Sequence, residues 1–169
     1  LAEPDGVPLP VVELYDARLE ATDTESKIRL AIELERLVRD GDPRMKGVES
    51  ADYADAVSVS AIATTTGIRS AGAETSVYLG AYALAGDDDE TTTGFGFSVA
   101  RSVEGLDLSA AAADAVERSV RLLGAGKAPS ERLTVVLDPY VTSQFLGLIA
   151  EMLSGEAVLK GRSPFGARV

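Results

Sequence analysis

The chain has 169 residues, with 16 Lys and Arg against 27 Asp and Glu, a formal charge of −11, and no histidine, cysteine or tryptophan. The length suits about one domain. The absences exclude imidazole bases, Ser-His and Cys-His dyads, histidine- or thiolate-bound metals and disulfides. The acidic balance opposes sequence-independent nucleic-acid binding, which needs a basic face.

Hydrophobic residues make up 46% and charged residues 25%, a globular balance, but aromatics are only 5%. With Ala abundant, the core has to rely on Val, Leu, Ile and close backbone approach. No apolar run approaches the roughly 18 residues of a membrane helix. Leu1–Pro10 holds three prolines and no basic stretch, so it does not read as a signal peptide. A first residue of Leu suggests a piece of a longer protein, and the Ala-rich, Lys-poor composition suggests a bacterial source.

Residues 1–22 read as an extended lead-in, because Pro4, Pro8 and Pro10 disfavour helix. A helix is predicted over 24–40. Thr22 and Glu25 have capping-box spacing, with Asp23 or Thr24 as alternative caps, and Leu30, Ala31, Leu34, Leu37 and Val38 form one apolar stripe. Gly41-Asp42-Pro43 ends it. From 45 to 102 the period becomes two: Val57, Val59, Ala61 and Ala63 share a parity, then Val77, Leu79, Ala81 and Ala83, then Phe95, Phe97 and Val99. Turns near Thr66-Gly67 and at Asp87–Glu90 join these runs into an antiparallel meander. Ser, Thr and Tyr on the other parity suggest a face that is wet or covered by a polar partner.

A helix over 109–123 follows, with Ala112, Val116, Val120 and Leu123 near one face and Gly124-Ala125-Gly126 after it. Leu133–Leu137 reads as a short strand (133–137) buried on both faces. Asp138 then caps a helix over 139–153, with Pro139 at its first position and Gly155 closing it. The tail looks cut off mid-domain. The fold class expected is α+β: an antiparallel β-meander packed with about three helices, with a βα unit near the C-terminal end. The lead-in is followed by one α+β segment, 23–169.

Gly124–Ser130 tempts a phosphate-loop reading, but it follows a helix and precedes a strand, the reverse of what that loop requires. Gly94-Phe95-Gly96-Phe97 reads as a strand with small residues where another element packs close. Asp87-Asp88-Asp89-Glu90 lacks the spacing and central glycine of a calcium loop and reads as a solvated turn. Asp138 is a cap, and Glu151 lies outside the apolar stripe. The residues by themselves describe a non-catalytic α+β segment.

The ordered set of motifs resembles the TldD/PmbA family, also called modulators of DNA gyrase. The resemblance is carried by Thr134–Pro139, Phe145–Leu148 and Leu153–Val158. Upstream, Leu14-Tyr15-Asp16, Glu25–Ile28, Val48–Asp55 and Thr65–Ile68 agree in order. It implies a fragment of a larger two-domain protein, with part of the first domain and the whole C-terminal domain outside this chain. In the TldD branch a helix carries His-Glu-x-x-x-His, two ligands and a water-activating Glu on one helix. Gly147, Leu148 and Met152 occupy about those positions here, and none can ligate a hard metal or move a proton.

The resemblance therefore implies the PmbA/TldE-like branch, with no catalytic, cofactor-binding or metal residues and no cofactor in this chain. Its expected partners are a TldD-like metallopeptidase subunit, which would carry the metal, and a peptide substrate taken up by edge pairing on the meander. The heterodimer would serve proteolysis and peptide maturation in the cytoplasm, with no nucleic acid and no membrane as partner. A homodimer is open to the isolated chain. The alternative is a stand-alone regulatory or binding protein without peptidase activity. A self-sufficient peptidase would need metal ligands elsewhere in the parent.

Overall fold

The computed structural model describes residues 3–7, 10–87 and 89–168. They form two compact units, Leu1–Gly126 and Lys127–Val169. The segment read as continuous from 23 to 169 therefore divides after Gly126.

In the first unit the lead-in ends in a short helix, α1 (Ala17–Glu20), so residues 1–22 are not extended throughout. The reason is local: the Asp16 side chain caps the Arg18 amide at 3.0 Å, and Leu19 finds a buried site. Helix α2 (Thr24–Asp40) starts at Asp23, whose carboxylate accepts the Ser26 amide at 2.8 Å and its hydroxyl at 2.7 Å. This satisfies a donor the first turn leaves open. Leu34 and Val38 are fully buried, while Arg29, Arg36 and Arg39 pair along the exposed face with Glu25, Glu33 and Glu35. Such pairs contribute only a few tenths of a kcal/mol each.

Three antiparallel strands follow in the order β1 (Met45–Ala63), β2 (Arg69–Asp87) and β3 (Glu90–Ala100). Gly67, at φ +97°, makes the first turn, a conformation that costs glycine little. Strand β2 pairs with β3 only from Val77 onward. Among the strands, its earlier residues pair only with Ala56–Ala63 of β1, so a two-stranded ribbon continues past β3. Val59 (79% exposed) and Ile62 (61%) lie on its two faces.

Helices α2 and α3 (Leu108–Val120) cover one face of the sheet. The core joins Leu34 and Val38 to Leu79, Ala81 and Ala83 of β2 and to Ala111, Ala112, Ala115 and Val116 of α3. Its small side chains let backbones approach closely. A Cβ on Gly96 would stand 2.0 Å from the Ala111 carbonyl oxygen, and one on Gly94 would stand 2.3 Å from the Ser119 nitrogen. Helix α3 thus rests directly on β3. It ends three residues short of 123, and the turns beyond it finish at Gly124, with φ +73°.

In the second unit, Leu133–Leu137 is not a strand. A strand exists through its ladder, and the only sheet among the described residues is β1-β2-β3. The run predicted to be buried on both faces is exposed, from 42% at Leu137 to 93% at Val136. Helix α4 (Pro139–Met152) begins at Asp138, whose side chain accepts the Val141 amide at 2.9 Å. Gly155 does not close this helix. It opens α5 (Gly155–Leu159), because the Ser154 hydroxyl caps the Ala157 amide at 3.2 Å. Single 3-10 turns lie at Val103–Gly105 and Gly166–Arg168.

Candidate functional site

The three residues singled out by resemblance all lie on α4, and all are exposed. Leu148 and Met152 are one helical turn apart. With Glu151, Ser154, Lys160 and Arg162 they line a groove of about 410 Å³. Gly147 is outside that lining, and a side chain there would meet nothing within 4 Å. Glycine and leucine offer no donor, and a thioether is a soft ligand unsuited to hard cations. The nearby Lys160 is held by Glu156 at 2.5 Å. Among the described residues no three His, Cys, Asp or Glu side chains gather as a metal site. These side chains form an apolar patch with a charged rim.

The other sequence candidates are structural. Glu90, in the acidic turn, accepts the Gly124 amide at 2.8 Å and ties the β2–β3 turn to the chain beyond α3; Asp88 lies outside the described residues. Gly124–Ser130 carries no helix start. The glycines of Gly94–Phe97 serve close packing, as predicted.

Two further groupings surround the sheet. On the helix-covered side, Lys27 of α2 forms an ion pair with Asp55 of β1, and the Tyr53 hydroxyl donates to the same carboxylate at 3.0 Å. Burial, reinforced by that carboxylate, pushes the Tyr53 phenol above its usual range. Tyr53 thus keeps its proton, and the trio fastens α2 to β1. At the other end of α2, a groove of about 820 Å³ runs between α2 and α3, with Leu37, Val116 and Val120 in its wall and Arg44 and Arg121 at its rim. Arg44 hydrogen-bonds Asp42 and holds that carboxyl down at about 2.

The second grouping was not located from sequence. Tyr78, Tyr82, Phe95 and Phe97 lie together on the sheet face opposite the helices, with Tyr82–Phe95 centroids 5.9 Å apart and Tyr78–Phe97 6.0 Å apart. The signal was present in the alternation: Phe95 and Phe97 share one parity, and Gly94 and Gly96 hold the buried one.

Residues 17–123 match the model of the PmbA/TldA metallopeptidase central domain. Residues 130–169 match the model of the C-terminal domain of the same family. The boundary between the two compact units falls between these matches. The second match corrects the expectation that the whole C-terminal domain lies outside the chain. Among solved structures, a protein of Thermotoga maritima described as a modulator of a DNA gyrase is 25% identical, with a TM-score of 0.73 over 92% of this chain. A protein of Bacteroides thetaiotaomicron described as a modulator of DNA gyrase shares the fold, with TM-score 0.79 over 91% of the chain at 23% identity. The chain spans 36% and 35% of their lengths. No curated protein matches it. No helix among the described residues is long and apolar enough to cross a membrane. Matched by two successive domain models over nearly its whole length, the chain belongs to the PmbA/TldA metallopeptidase family, the TldD/PmbA family.

Proposed function

We propose that this chain is part of a PmbA/TldE-like, catalytically silent subunit that helps bind peptides for a TldD-like metallopeptidase partner. The reading rests on α4, where by resemblance Gly147, Leu148 and Met152 fall at about the positions of the family's metal motif and carry no ligand. The helix keeps its cap and its apolar side chains without a ligand set. The metal then belongs to the partner subunit, and this chain contributes shape and peptide affinity. We assign the complex to the cytoplasm by the same resemblance.

The ribbon supports peptide binding. From Ala56 to Ala63 the outer edge of β1 carries no charge and no proline, the devices that normally blunt an edge strand. An extended peptide can add there through its backbone, largely regardless of sequence.

The test is to express the full-length parent alone and with a TldD-type subunit, then assay metal content and cleavage of unfolded casein. A stable complex, with metal and activity absent from the parent alone, supports the reading. Metal binding and cleavage by the parent alone overturn it. The regulatory alternative draws on the description of both structural neighbours as gyrase modulators. It is favoured if the parent remains single and metal-free beside every TldD-type subunit offered.

A further inference from the structure

We propose that the open face of the sheet is a platform for an extended basic peptide bearing aromatic or apolar side chains at alternate positions. This deepens the peptide-binding reading above and rests on it.

The chain has five tyrosines and four phenylalanines, and two of each lie on this face. Aromatic side chains usually fill cores, but here the core is built from Leu, Val and Ala. Tyr82 is 49% exposed, Phe97 36% and Val99 62%. The strand register aligns them in rows: Tyr82 faces Phe95, Gly80 faces Phe97, and Tyr78 faces Val99. Gly80 shapes the panel. A Cβ there would stand 2.2 Å from the Tyr78 hydroxyl oxygen, so the Tyr78 ring lies across the glycine instead of standing off the sheet. Phe95 and Phe97 are within 8° of parallel at 6.4 Å. Successive rows are two residues apart along the strands, the repeat at which an extended peptide presents side chains to one side.

Charge selects among peptides. Asp52 of β1 faces Gly80 in the same row; it is exposed and positioned by the Ser50 hydroxyl at 2.8 Å. Arg118, 4.8 Å from the Phe95 ring centre, has its charge met by Asp114 at 2.9 Å. With a net charge of −11 behind it, the face attracts a peptide that carries Lys or Arg at its other positions, through the field of its carboxylates.

The experiment measures fluorescence anisotropy of a labelled peptide of alternating Lys and Phe added to the intact chain. The same sequence with Glu for Lys, and a labelled single-stranded oligonucleotide, are run beside it. The expected result is saturable binding of the Lys-Phe peptide alone. Tyr82→Ser and Phe97→Ser should each weaken it about tenfold, and Asp52→Asn should weaken it less and flatten its salt dependence. Ile32→Ser, at an exposed position of α2, should leave it unchanged. Circular dichroism identifies any variant that has lost its fold, and Tyr82→Ser, at the more exposed ring, then decides. Equal binding of the Glu peptide, unchanged affinity in the folded variants, or preference for the oligonucleotide overturns the proposal. Peptide binding without complex formation would sink the subunit reading and leave the platform. A working complex whose peptide affinity ignores these variants would do the reverse.

Discussion

The Thr75 hydroxyl oxygen accepts the Asp16 amide hydrogen at 3.0 Å, joining residues 59 apart in the chain. The same hydroxyl donates to the Arg101 carbonyl at 2.8 Å, and the Thr75 amide donates to the Leu14 carbonyl at 2.9 Å. One fully buried side chain therefore holds the lead-in, the middle of β2 and the end of β3. Thr75→Val keeps the shape and removes the oxygen. It leaves a donor and an acceptor unpaired, at about 1–3 kcal/mol. Urea unfolding of the variant should show a lower midpoint with an unchanged slope.

Gly96 and Gly72 should respond oppositely to alanine. At Gly96 the new methyl would meet the backbone of α3, and the Ala111 oxygen cannot rotate aside. The helix has to lift from β3, and Gly96→Ala should destabilise by about 1–3 kcal/mol or more. At Gly72, in the ribbon, nothing lies within 4 Å of the new Cβ, so thermal unfolding of Gly72→Ala should be unchanged or slightly later.

The start of α4 depends on Asp138. Asp138→Ala removes the acceptor for the Val141 amide and should cost about 1 kcal/mol of helix stability. None of the helix's residues is buried, so the loss should appear as reduced helical circular dichroism. Asp138→Asn should restore most of it, because asparagine also caps.

Acid should weaken the first unit over a defined range. Hydrogen bonds from Arg18 hold Asp16 down at about 2, and hydrogen bonds from Arg44 do the same to Asp42, against an ordinary value of 3.8. A carboxyl lowered on folding contributes stability that is present above its unfolded pKa and lost as pH falls through the folded one. Stability should thus decline from pH 3.8 down towards 2, with Asp16→Asn and Asp42→Asn each flattening the decline. Tyr53 acts in the opposite range: its raised phenol contributes stability fully present below 10.0 and lost as pH rises above it. Carboxyl chemical shifts followed with pH would check the first two sites; carboxyl midpoints near 3.8 would remove the argument.

What could be read from the sequence was whatever depends on near neighbours. The Asp138 cap and the alternation through Val77, Leu79, Ala81 and Ala83 are local patterns with local causes, whereas the sequence leaves Thr22, Asp23 and Thr24 all open as the cap that Asp23 supplies. Leu133–Leu137 was not legible, because an apolar run does not state whether a neighbouring strand exists to pair with it. The outward placement of Phe95 and Phe97 was hidden for another reason. Hydrophobicity alone puts aromatic rings inside, and it is the demand of α3 for bare backbone at Gly94 and Gly96 that turns them out. At the candidate site, Gly147, Leu148 and Met152 had meaning only through a resemblance.

The two-stranded ribbon divides β1 into two regimes of backbone opening. Val48–Tyr53 pairs with the part of β2 that β3 also flanks, above the packed helices. Val57–Ala63 pairs with the part of β2 that β3 does not reach, and none of its residues joins the helix-packed core. A lone two-stranded hairpin is marginal in water, so its amides should trade hydrogen for deuterium by fraying, well before the whole unit unfolds. Exchange should then quicken along β1 past Asp55, and a segment that opens this cheaply can release its backbone groups to an incoming chain without disturbing the core.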